Sequence, residues 1–174
     1  MCKKVIVLLF IFVSGKSIAS TVENIGDTTQ ILLPISAVAI TGYQKDLDGF
    51  KQFAYSFVLT EGTVQLLKHT VHRDRPNGTS KSFPSGHTAA AFVSSSFLQF
   101  RYGYKYGIPA YAVAAFTGYS RIQAKKHWTS DVIAGAAIGT GFAYIFTKPY
   151  SKHLSLEPYY DAETKTTGAS LVVK

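Results

Sequence analysis

An all-α fold, a helical bundle of about five helices behind an N-terminal signal segment, is the architecture this sequence predicts. Three observations carry it. Apolar stretches of helical length alternate with short polar breaks along most of the chain. Small residues mark faces where helices approach closely: Gly135 and Gly139, four apart, and the run Ala89, Ala90, Ala91. No internal repeat or low-complexity linker divides the 174 residues, which is the length of one domain.

The first element is a targeting segment. Lys3 and Lys4 precede the apolar run Val5 to Val13, and Ser14, Gly15 and Ser17-Ile18-Ala19 supply the small residues of a cleavage site. Cleavage is expected after Ala19. The run of about nine residues falls short of the roughly twenty that span a bilayer, which favours a removed signal over an anchor. Cys2 lies ahead of the run and so is not placed as a lipoprotein acceptor. Removal of residues 1–19 takes away the single Cys and three Lys, leaving 174 − 19 = 155 residues and a formal charge of 8 − 3 = +5. The mature chain then has no thiol for a disulfide.

Five helices follow by pattern: Gln30 to Tyr43, Phe50 to Thr70, Gly86 to Arg101, Gly107 to Gln123 and Thr129 to Thr147. Together they make a domain over residues 20–148. The tail, 149–174, carries Pro149, Pro158 and the apolar Leu171-Val172-Val173, and its pattern assigns it no role.

The chemistry-bearing residues fall in three blocks: Lys68 with Arg75-Pro76, then Pro84-Ser85-Gly86-His87, then Ser120-Arg121 with His127 and Asp131. Four residues apart, His127 and Asp131 share a face if both lie in a helix. The carboxylate then orients one imidazole nitrogen and leaves the other free to attack phosphorus. A phosphohistidine divides one difficult displacement into two easier ones. His87, at a helix start, is placed to protonate the leaving oxygen. Lys68 and Arg75, seven residues apart, read as one helix face. With Arg121 they supply donors to phosphoryl oxygens, and Ser85 and the Gly86 amide add neutral ones. No carboxylate pair or His-x-His sits beside these blocks, so no metal and no other cofactor is expected. Each piece alone has a plainer reading: a turn before a helix, a surface His-Asp pair, solvated helix charges. Their conjunction in order is what points to phosphoryl transfer.

These blocks and their order, spanning Lys68 to Gly139, resemble the type 2 phosphatidic acid phosphatase superfamily. That group includes lipid phosphatases, bacterial nonspecific acid phosphatases and vanadium-dependent haloperoxidases. The connection from Arg75-Pro76 to Pro84 is shorter than many members carry. The resemblance implies hydrolysis of a phosphate monoester or diphosphate, most plausibly on a lipid such as phosphatidic acid, phosphatidylglycerophosphate, an isoprenyl diphosphate or lipid A. Its alternatives are a soluble periplasmic acid phosphatase, a vanadium haloperoxidase, and a non-catalytic phosphate- or lipid-binding protein. Intact His87, His127 and Asp131 weigh against the last, since binding alone needs no oriented nucleophile.

The net positive charge does not point to nucleic acid, because the basic residues near the blocks already have a phosphate role and few aromatics interleave them. The expected partners are a phosphorylated lipid or small phosphate ester and a membrane. If the helices cross the inner membrane of a bacterial envelope, Lys68, Arg75, His87, Arg121 and His127 lie on one side. Lys51, Arg101, Lys105, Lys148 and Lys152 then lie on the other, with Tyr102, Tyr104 and Tyr106 as an aromatic belt, which puts the site in the periplasm. The apolar stretches are short for spans, and the mean hydropathy of +0.11 is low.

Overall fold

The structure, a computed structural model, describes residues 18–150, 154–161 and 166–173. Five helices form the body: α1 Ile18–Tyr43, α2 Leu47–Thr70, α3 Gly86–Tyr102, α4 Tyr104–Gln123 and α5 Thr129–Phe146. The expected signal segment lies outside the described residues except for Ile18 and Ala19, which open α1.

Helix α1 starts twelve residues before the expected Gln30, since 30 − 18 = 12. Gly26, Asp27, Thr28 and Thr29 are weak helix formers, so the local pattern reads as a break. Packing overrides it: a Cβ at Gly26 would strike the side chains of Ser120 and Arg121, so α1 crosses α4 at this glycine. Helix α2 begins where Asp46 accepts the Gly49 amide at 2.9 Å, and α3 begins at the cap Ser85. Gly103, at φ 81°, ends α3 and opens α4, a turn geometry that a side chain resists.

Helix α3 is the central element and packs against each of the other four. Ala89, Ala91, Val93 and Phe97 are fully buried, and Phe97 meets Phe53 of α2 with ring centroids 5.0 Å apart. Its buried serines are satisfied: Ser94 donates to the Ala90 carbonyl at 2.8 Å, while Ser96 meets Thr140 and Tyr111 at 3.1 and 2.8 Å. The expected small-residue face is real. A Cβ on Gly135 would lie 2.5 Å from the Ser85 carbonyl, and one on Gly139 would lie 2.5 Å from the Ala89 carbonyl and 2.7 Å from the Val93 amide. Backbone therefore rests on backbone where α5 crosses α3.

At the end away from the sequence blocks, Arg101 is not the free basic residue of the topology reading. It is buried, with Nε 2.7 Å from Asp46 Oδ2 and Nη2 2.6 Å from Asp46 Oδ1, and Nη1 donates to the Lys148 carbonyl at 2.7 Å. This bidentate pair ties the α1–α2 turn to the ends of α3 and α5. Tyr102 joins it by donating to Asp46 at 2.7 Å, so of the three tyrosines Tyr104 is the exposed one. Lys152 lies outside the described residues. The outer faces of the bundle are apolar: Ile35, Val58, Ile108 and Ile133, on four different helices, are 56%, 66%, 62% and 64% exposed. Among the described residues one helix, α5, is long and apolar enough to cross a membrane.

The tail holds two strands the sequence reading did not place, β1 Leu154–Asp161 and β2 Thr166–Val173. They pair antiparallel from Leu154 opposite Val173 to Asp161 opposite Thr166. Pro158 sits inside β1, and proline is a poor strand former except at an edge, which is what a two-stranded hairpin offers.

Candidate active site

The C-terminal half of α2, the C-terminal end of α4, the N-terminal end of α3, the first half of α1 and the loops that follow α2 and α4 line a cavity of 690 Å³. Lys68, Arg75, Gly86, His87, Arg121 and His127 all line it. The three sequence blocks therefore meet in space, although the chain separates their extremes by some sixty residues.

Two local expectations are corrected. Lys68 and Arg75 do not share a helix face, because α2 ends at Thr70 and Val71 is extended. A residue directly before proline is disfavoured in α-helix, and Arg75 precedes Pro76. The loop instead folds back, pinned by the Arg75 amide on the Thr79 carbonyl at 2.7 Å and the Ser82 amide on the Arg73 carbonyl at 2.8 Å. Its return brings the Arg75 guanidinium over the site, where Nε is buried without a hydrogen-bond partner among the described residues.

Nor do His127 and Asp131 share a helix, since α5 starts at Thr129 after the N-cap Trp128. His127 Nδ1 stands 3.7 Å from Asp131 Oδ2, beyond hydrogen-bonding range. It lies 2.7 Å from the Ser82 carbonyl, which only accepts, so Nδ1 carries the proton and Nε2 is left with its lone pair. Asp131, fully buried behind the cavity, accepts from Ser82 Oγ at 2.5 Å, Arg73 Nη1 at 2.8 Å and the Trp128 amide at 3.0 Å. It acts on His127 through the Ser82 segment it anchors, and its own charge is balanced by Arg73. Burial, then the charges of Lys68 and Arg75, push the His127 imidazole down to about 4, so it is neutral at ordinary pH.

Ser85 stands behind the cavity wall. It is buried, its Oγ lies 2.9 Å from Thr88 Oγ1 and accepts the Thr88 amide at 3.4 Å, and it caps α3 instead of lining the cavity. The cap sets the position of Gly86 and His87, which do line it, in the first turn of α3 where helix amides favour an anion. His69 and His72 are exposed, and His153 lies outside the described residues. Asp74 accepts from Trp128 Nε1 through its backbone carbonyl at 2.8 Å.

The sequence reading missed four participants. Asp27 of α1 holds both His87 Nε2, at 2.9 Å, and Arg121 Nη1, at 2.5 Å. Glu23 offers its carbonyl to Arg121 Nη2 at 2.7 Å and its carboxylate to Lys126 at 3.1 Å. Arg73 and Ser82 are the partners of Asp131. Asp27 and Glu23 gave no signal, being remote in sequence in a segment that read as a break. Arg73 read as one more loop charge, although a basic residue two positions before Arg75 is a weak cue.

The family model described as the PAP2 superfamily matches residues 49–154, more than half of the chain. The chain belongs to the PAP2 superfamily. Among curated relatives, this PAP2 protein is 34% identical over 160 residues to the lipid A 4'-phosphatase of Helicobacter pylori, a match covering 84% of this chain and 80% of that one. It is also 34% identical over 136 residues to the lipid A 1-phosphatase of Porphyromonas gingivalis, covering 74% of this chain but 30% of that longer one. Its fold resembles the crystal structure of Aquifex aeolicus LpxE, with TM-score 0.63, 23% identity, and 75% and 87% of the two chains covered. A second likeness is to a transmembrane PAP2-type phosphatidylglycerolphosphate phosphatase from Bacillus subtilis, with TM-score 0.57, 24% identity, and coverage of 74% and 73%. The PAP2 protein is accordingly a phosphoric ester hydrolase, with an all-α bundle around its site.

Proposed function

We propose that this chain is a lipid phosphatase that works through a phosphohistidine at His127 and takes its substrate from a membrane. The observation that carries the reading is the Nδ1 contact of His127 with the Ser82 carbonyl, which leaves Nε2 basic inside a cavity ringed by Lys68, Arg75 and Arg121. An amine-like lone pair facing three cations suits attack on a phosphate and little else.

In the first step the Nε2 lone pair forms a bond to phosphorus while the bond from phosphorus to the lipid oxygen breaks. The leaving oxygen takes a proton from His87. Lys68, Arg75 and Arg121 hold the charge that spreads over the equatorial oxygens. In the second step water attacks the phosphohistidine, His87 accepts its proton, and inorganic phosphate leaves with Nε2 restored. Asp27 occupies Arg121 and His87 in the free enzyme, so the incoming phosphate displaces its carboxylate from the guanidinium.

Two features support a lipid substrate. The outward faces of α1, α2, α4 and α5 expose large apolar side chains, Ile35, Val58, Ile108 and Ile133 among them, which fits contact with acyl chains. The curated relatives named above act, by their names, on lipid A. The exposed apolar helix faces favour membrane embedding over a soluble periplasmic enzyme, and this reading sets the site at the end away from Lys51, Lys105 and Lys148, on the periplasmic side.

Purified wild-type and His127→Ala proteins, assayed for phosphate release across lipid phosphates, isoprenyl diphosphates and soluble esters, test this. Turnover by wild type alone, with an acid-labile phosphoenzyme trapped on His127, is the expected result. Normal turnover by His127→Ala sinks the covalent mechanism, and a preference for soluble esters sinks the lipid reading.

A further inference from the structure

The catalytic cavity continues from its cationic end into a cleft between α1 and α2, and its lining changes character along the way. Lys68, Gln65 and Glu61 stand on successive turns of one face of α2. Gln30 faces them from α1, and beyond this collar the walls are apolar, with Ile31, Ile35 and Phe57. The order is cation, hydrogen-bonding collar, hydrocarbon.

Glu61 is the unusual member. It is partly buried in the interior half of α2, and its Oε1 has neither solvent nor a hydrogen-bond partner among the described residues. A buried acceptor left unmet is costly, and one that lines a cavity is placed for a ligand donor to meet it. A carboxylate is also the wrong group to touch phosphate directly, because like charges repel. Its rise of roughly 10 Å along α2 from Lys68 sets it beyond the phosphate, level with the scaffold that bears it.

Resting on the lipid phosphatase reading, we infer that Glu61, with Gln30, reads hydrogen-bond donors on the headgroup next to the scissile phosphate, so the substrate is a phosphorylated glycolipid. A sugar offers hydroxyl and amide donors at this place. Phosphatidic acid offers two ester carbonyls and an isoprenyl diphosphate a second phosphate, all of which only accept, and phosphatidylglycerophosphate offers a single hydroxyl where an acylated glucosamine offers several donors. A site built to accept a donor discriminates strongly against analogues that lack it, whereas apolar contacts alone discriminate weakly. Glu61 is thus a specificity residue, and the apolar end of the cleft takes acyl chains of either lipid alike.

The test compares kcat/KM for an acylated diglucosamine monophosphate and for phosphatidic acid in the same detergent, with wild type, Glu61→Leu, Glu61→Gln and Gln30→Leu. Wild type is expected to favour the glycolipid. Glu61→Leu should lower the glycolipid value about 10- to 100-fold and leave phosphatidic acid unchanged or improved. Glu61→Gln, which keeps an acceptor, should recover part of the loss, and Gln30→Leu should shift the same ratio less. The inference is overturned by a wild type with no glycolipid preference, or by Glu61→Leu and Gln30→Leu each lowering both substrates equally. Those outcomes leave the phosphatase reading standing. A wild type inactive on every lipid phosphate removes both.

Discussion

The protonation of His127 offers the sharpest test of the site. Its Nε2 attacks only when unprotonated, so activity is lost as pH falls through its pKa. Burial, with Lys68 and Arg75 nearby, places that pKa at about 4 in the free enzyme. At pH 5.5 an imidazole with the ordinary value of 6.5 is roughly 10% neutral, whereas one at about 4 is roughly 97% neutral, about a tenfold difference in competent enzyme. The acid limb of kcat/KM, which reports the free enzyme, should therefore fall below pH 5 once the substrate's own titration is removed. Lys68→Met takes away one of the repelling charges, so the limb should move upward even as KM rises from the lost phosphate contact. The assay is the pH profile of both proteins, paired with NMR titration of labelled histidines. A wild-type His127 that titrates near 6.5, or a limb unmoved by Lys68→Met, would refute the electrostatic account. The same group links to stability: between about 4 and 6.5 the unfolded chain binds a proton that the folded chain refuses, so this contribution is present above that window and shrinks as pH falls through it.

Asp131→Asn should reduce kcat by clearly less than the about 10⁴-fold cost of losing a carboxylate bonded straight to the catalytic imidazole, since Ser82 holds Nδ1 here; a full 10⁴-fold loss would restore the direct role. His87→Ala should cost about 10²–10⁴-fold in kcat on a lipid phosphate and much less on p-nitrophenyl phosphate, whose leaving group departs without a proton, and equal losses would contradict the general-acid assignment. Gly139→Val should lower stability by about 1–3 kcal/mol, because its Cβ meets the Ala89 carbonyl and Val93 amide; an unchanged melting temperature in detergent would contradict the α3–α5 contact. Turnover should persist at full rate in a chelator, with the cationic side chains supplying the charge that a metal supplies elsewhere, and loss restored by added metal would overturn this.

Much of this protein was legible because its information is local. Helices α2 to α5 follow from apolar spacing, and their bounds agree with the pattern to within a few residues. Gly135 and Gly139 announced a close helix crossing because only a missing Cβ allows it. The blocks around Lys68, His87 and His127 carried the chemistry, since residue types and order are properties of the chain itself. What the chain could not show is how groups far apart meet. Asp27 reaches His87 and Arg121 across 60 and 94 residues, in a segment where Gly26 lets α1 lie against α4. The partner of His127 is a backbone carbonyl at Ser82, and any residue has one, so no side-chain pattern could name it. The tail hairpin draws on pairing between two strands, each of which is featureless alone. Sequence by itself determined helices α2 to α5 and the residues proposed to react. The tertiary structure alone decided which nitrogen is free, which carboxylate faces the site and where Glu61 stands in the cleft, because those depend on distances that only packing sets.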